Sequence, residues 1–267
     1  MLDMSYLLSL TKLLTPVLAL VCTGGITTLQ LTKITEIQAQ TEVTKPTTVY
    51  LLEAEQEKAN LAFIKNLPSF GFDNLVADWT FLRFLQYFGE KDARQQIGYA
   101  LTPKYFEIFV DRDPKFTQPY KFMSPATSIF AGRPDQSVTL TEKGLKSLSP
   151  EISPDAYSLW VSKASDELLF LGDNQAARSS YLKAAQWARD SADPEAKRIG
   201  AIVTKTAEFL KDNPDSKNAR ISAWLMVLNS APDEETRQRS ISEIQALGGQ
   251  VSVTEQNILK IQFPEED

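Results

Sequence analysis

Residues 164–187 read ASDELLFLGDNQAARSSYLKAAQW. On either side of Leu171-Gly172-Asp173, small residues (Ala164, Ser165, Ala177, Ala184) alternate at helical spacing with large ones (Leu168, Tyr181, Trp187). This is the pattern of a helical hairpin built to stack on copies of itself. It implies an all-α chain of helix-turn-helix units, an α-solenoid. Modules of that kind characteristically hold other proteins rather than turn over substrates.

Outward from this hairpin, almost every segment from Tyr50 onward has helical periodicity. A helix from Tyr50 ends before Pro68, and Asp73 is placed to cap the next one. That helix, Asn74 to Phe88, is the most aromatic part of the chain. Leu75, Trp79, Leu82 and Leu85 recur at steps of four, three and three, with Phe81, Phe84 and Phe88 as a second stripe. A helix apolar over so much of its circumference is expected to be buried between neighbours. The competing reading is a groove for an apolar peptide or another membrane protein, with Trp79 and Arg83 as contact residues. Asp78 and Arg83 are expected at the polar edge of the helix or paired with its neighbours. Gly89 closes it. Further helices are expected over 92–101, 103–111, 119–130, 138–148, 157–170, 174–189, 195–211, 219–229 and 234–247, with Asp215 as a cap. Gly248-Gly249 then breaks the chain, and residues 251–267 form a tail with room for a short final helix.

With the helices placed, the chain resembles the tetratricopeptide repeat family, whose unit is a helix-turn-helix of about 34 residues with small residues where its helices cross. Gly172, Ala177, Tyr181 and Ala184 match the family's turn and second helix, and Ser165 the small position of its first, in which Leu168 occupies the usual aromatic position. Val161 stands where the family often has tryptophan, and the closing proline arrives late, at Pro194. A second, degenerate copy has Gly132 and Ser137 in register, but Thr141 replaces the aromatic and Gly144 the alanine. The Ser149–Pro154 insertion accounts for the longer spacing. The resemblance covers about a quarter of the chain. It implies partner contacts from first-helix residues on the concave side, by position Ser162, Asp166 and Leu169. The segment from Asn66 to Gly89, with Asp113-Pro114-Lys115-Phe116, is also similar to uncharacterised membrane-anchored bacterial repeat proteins, cyanobacterial members among them. That similarity implies a thylakoid or plasma-membrane location.

Between Lys12 and Lys33 no residue is charged, a run of about the roughly 20 residues that span a bilayer. Residues 13–32 read as a single-pass N-terminal anchor, as a cleaved signal peptide, or as a helix packed on a partner. The flanking Lys12, Lys33 and Lys45 leave the orientation open. Residues 34–49 read as a polar linker and 50–250 as the helical repeat domain.

The 267 residues carry no histidine and one cysteine, Cys22. That removes the commonest general base and metal ligand, the histidine-based triads, intrachain disulfides and cysteine-rich zinc sites. A net charge of -6, with no basic run, argues against nucleic acid. There is no phosphate loop, nucleophile elbow or metal-ligand spacing. No cofactor and no small-molecule substrate are expected. The expected function is a membrane-tethered scaffold for a protein partner, itself a membrane protein or complex. The alternatives are a constitutive subunit of a membrane complex and, least favoured, an enzyme using Asp78 with Glu107 or Asp111.

Overall fold

The computed structural model describes residues 22–28, 30–31, 45–229, 231, 234–253 and 259–264. Residues 22–28 are helical and exposed. Among the described residues no helix is long and apolar enough to cross a membrane. The expected anchor at 13–32 and linker at 34–49 lie largely outside the described residues. Residues 50–267 form a unit distinct from residues 1–49.

Among the described residues the fold is all-α apart from one strand pair near the C-terminal end. It opens with α1 (Thr47–Asn66) and α2 (Asp73–Gly89), then α3 (Lys91–Ile97) and α4 (Thr102–Arg112). α2 packs on α4. It buries Ala77, Thr80, Phe84 and Tyr87 and turns Leu75, Trp79 and Leu82 outward, each more than half exposed. The expected burial of α2 on both stripes is therefore corrected. Only the phenylalanine stripe enters the core, where Phe84 meets Phe106 at 4.7 Å and Phe88 meets Phe130 at 5.1 Å. α1 buries only Tyr50 and Leu61.

Polar bonds hold α1 in place instead. The Arg112 guanidinium donates to the carbonyls of Lys65 and Leu67 at 2.9 and 2.6 Å, and to Asp73 Oδ1 at 2.8 Å. One side chain of α4 thus satisfies the orphan carbonyls at the end of α1 and ties down the first residue of α2. Asp73 is this anchor rather than the cap expected of it; Phe72 occupies the cap position. Arg112→Ala is expected to cost about 2 kcal/mol, because the carbonyls lose a charged donor. Faster hydrogen exchange at residues 61–67, ahead of the rest of the unit, is the measurement that checks it. Exchange rates unchanged there would show that the Arg112 bonds do not hold the end of α1.

Two equivalent hairpins follow. In the first, α5 (Tyr120–Ser124) runs into a π-helical turn, Pro125–Phe130, and Gly132 leads to α6 (Pro134–Leu145). In the second, α7 (Tyr157–Asp166) runs into a π turn, Glu167–Leu171, and Gly172 leads to α8 (Asn174–Arg189). Gly132 and Gly172 both take positive φ, 64° and 67°, which glycine adopts without steric cost. The residue after each glycine donates back into the π turn: Arg133 N to Thr127 O at 2.8 Å, and Asp173 N to Glu167 O at 2.9 Å. Residues 132–144 and 172–184 repeat the same order of exposed and buried positions. Asp173 also caps α8, accepting from Ala176 N at 2.9 Å.

The substitutions that made the first copy look degenerate are explained by packing. In the second hairpin Tyr181 fills the space between helices and bonds Ser165 at 3.2 Å. In the first, Thr141 is too small for that, and Tyr120 of α5 supplies the ring from the opposite helix. Its phenol lies where a Cβ on residue 144 would be, so only glycine fits.

The third hairpin is α9 (Ala196–Asp212) and α10 (Lys217–Asn229), followed by α11 (Glu234–Ala246). The cap of α10 is Ser216, whose hydroxyl accepts from Ala219 N at 3.0 Å, rather than the expected Asp215. α9 lies on α8, with Gly200 close against Ala188, while α10 lies on α7 and its π turn. Residues 250–253 and 259–262 form an antiparallel pair in which Val251 faces Ile261. This replaces the expected final helix, because Val251 and Ile261 pack as alternating apolar residues beside Ile244 and Ile221.

Candidate functional site

The first helices of the two equivalent hairpins, α5 and α7, line one side of a groove of about 330 Å³. The start of α9 and the end of α10 close it. Its walls are apolar: Leu159 and Val161 from α7, Ile199 from α9, and Met226 and Val227 from α10. Tyr120 and Pro125 form the end under α5. Hydroxyls of Ser158 and Ser162 interrupt the α7 wall, and Lys121, Glu195 and Arg198 stand at the rim. Glu195 and Arg198 are paired with each other at 2.8 Å. Tyr157 donates to Asp193 Oδ2 at 2.8 Å, and burial with this carboxylate raises its phenol above the ordinary range.

Beneath the groove lies a closed polar layer. Asp166 is 1% exposed and accepts from Ser124 Oγ at 2.7 Å and Ser137 Oγ at 2.6 Å, with Ser128 alongside. Burial pushes its carboxyl up to about 6, against the pull of the serine hydroxyls. The neighbouring Glu167 pairs with Lys163, and Ser180 donates to it at 2.6 Å. Buried acids are retained only when so partnered.

Of the residues picked from sequence, Ser162 is half-buried in the groove wall. Asp166, the last residue of α7, points inward instead, where its bonds to Ser124 of α5 and Ser137 of α6 join the three helices. Leu169 is half-buried against apolar side chains of the second hairpin on one side and against Ile221 and Trp224 of α10 on the other, so it belongs to the packing of α10 on that hairpin. Trp79 is 57% exposed on α2. Arg83, beside it, is half-buried and forks onto Glu57 of α1, with Nε at 3.1 Å from Oε1. Burial raises the Glu57 carboxyl, but the bonds from Arg83 and Tyr105 outweigh this and hold it below its ordinary value. The remaining carboxylates are dispersed. Glu107 pairs with Lys65 and Asp111 with Lys143, and exposed Asp78 is bonded to neither. Among the described residues no group of His, Cys, Asp and Glu could hold a metal ion.

Of the groove lining, sequence reading named only Ser162 as a contact; it missed the rest, among them Tyr120, Pro125, Leu159, Ile199, Met226 and Val227. None belongs to a motif; the folding of three hairpins brings them together. Comparison with family models, with curated proteins and with solved structures finds no match.

Proposed function

We propose that the chain is a membrane-tethered helical-repeat scaffold, a tetratricopeptide-like α-solenoid, that holds a segment of a protein partner in the groove between α5, α7, α9 and α10. The observation that carries this reading is the groove itself: its apolar floor, spaced hydroxyls and paired rim charges suit an extended peptide with apolar side chains. Backbone amides of such a segment would bond Ser158 and Ser162, while Val161, Ile199 and Met226 take its side chains. The apolar segment at 13–32 supports a tether to the bilayer, and a partner that is itself a membrane protein.

The test is affinity purification of the full-length, C-terminally tagged protein from detergent-solubilised membranes. Ser162→Arg fills the groove without touching the buried layer. It is expected to reduce recovery of the partner at least about 10-fold, while Leu182→Ser, on the exposed side of α8, leaves it unchanged. A partner retained in full by Ser162→Arg would remove the groove from the interaction.

A further inference from the structure

The geometry points to α2 as the seam of a parallel, two-fold pairing between two copies of this chain. The outward face of α2 carries Leu75, Trp79 and Leu82, 58%, 57% and 55% exposed, followed by Gln86. Their spacing of four, three and four is that of alternating d and a positions in a heptad, with leucine at both d positions. The opposite face is committed to the core through Ala77, Phe84 and Tyr87. The seam is therefore free to meet another helix.

Charge beside the seam selects the occupant. On this register Asp78 is a g position and Arg83 the e position five residues later. In a parallel pair, g of one helix faces e of the other at that interval. Asp78 of each copy would meet Arg83 of the other, twice, by symmetry. Both groups have capacity for it. Asp78 is exposed and makes no hydrogen bond or ion pair among the described residues. Arg83 uses Nε and Nη2 on Glu57, which leaves Nη1. A bilayer surface is a poorer occupant, since Asp78 lies within the apolar stripe, between Leu82 and Leu85 around the helix. Gln86, a lone polar residue at an a position, would meet its own counterpart and fix the register.

The exposed parts of Leu75, Trp79 and Leu82 offer apolar area on the order of 300 Å² per copy, below that of a standard interface. The pairing is therefore weak. Two copies tethered to one membrane would meet at far higher effective concentration.

The experiment uses the full chain in detergent, with Cys22→Ser as background, and reads mass by sedimentation velocity and pairing by oxidative cross-linking. Leu82→Cys and Leu75→Cys, at the two d positions, are expected to form disulfide-linked dimers, whereas Phe63→Cys on α1 is not. Trp79→Ser is expected to weaken self-association by about 30-fold. Asp78→Lys, which places like charges opposite each other, should weaken it by about 10-fold. These positions are exposed, so the variants keep the fold, and unchanged melting curves verify that. A chain that stays monomeric as concentration rises, with neither cysteine cross-linking, would overturn the pairing. So would cross-linking only between Leu75→Cys and Leu82→Cys when mixed, which marks an antiparallel arrangement.

Discussion

Replacing Gly144 by alanine is expected to lower the melting temperature of the helical unit by roughly 6–12 °C, from a loss of about 3 kcal/mol. One methyl group has this effect because Tyr120 cannot retreat. Its ring is 3% exposed and packs edge-on against Phe109 at 4.9 Å, and its hydroxyl donates to the Pro114 carbonyl at 3.2 Å. The added carbon would overlap the phenol. Relief therefore requires α5 and α6 to separate, which loosens the wall of the groove. Combining Gly144→Ala with Tyr120→Leu should recover part of the loss, because the two residues share one space and their effects are not additive. A single Gly144→Ala variant melting within about 1 °C of wild type would show that the helices part at little cost.

The second large effect is at Asp166 and depends on pH. The unfolded carboxyl titrates near 3.8 and the folded one at about 6. The folded state therefore holds its proton more tightly. Stability from this group is complete below pH 3.8, falls as pH rises toward 6, and is flat above. At roughly 1.4 kcal/mol per pH unit the fall amounts to about 3 kcal/mol. Asp166→Asn keeps an acceptor for Ser124 and Ser137 but carries no charge. It should remove this slope and melt higher than wild type above pH 6. Asp166→Leu leaves those buried hydroxyls without their acceptor and should cost about 2–4 kcal/mol at pH 7. Urea titrations of the three proteins at pH 4, 5, 6 and 7 separate the outcomes. Parallel curves for wild type and Asp166→Asn would mean that the carboxyl titrates alike folded and unfolded.

The hairpin at 164–187 was legible because its signal is local: small residues, a glycine and a tyrosine at fixed offsets on one helix pair. Helix ends followed for the same reason, since Pro68, Gly89, Pro194 and Gly248 act on their own neighbours. Which stripe of α2 faces inward was not legible. Both are apolar at helical spacing, and the choice falls to α4, whose Phe106 and Tyr105 meet Phe84. The terminal strand pair left a trace that was passed over, apolar and polar residues alternating in Gln250–Val253 and Leu259–Gln262. For the groove, Ser162 was within reach because a first-helix position sufficed to find it. Leu169, chosen by the same rule, lies beyond Glu167, where the winding is no longer that of an α-helix. Asp166 is still within α7, one turn on from Ser162, and the serines that hold it inward come from α5 and α6, where no local pattern announces them.

Both first helices widen into a π turn just before their glycine. Such a turn accommodates one residue more than the helix would otherwise hold. The order of exposed and buried positions after the glycine is unchanged between the two hairpins, so each absorbs its extra residue without shifting the helix that follows. What distinguishes them is the helix that supplies the tyrosine. Giving the first hairpin the arrangement of the second would take changes at 120, 141 and 144, and also at Pro125, which stands where the second has Ser165 to bond its tyrosine.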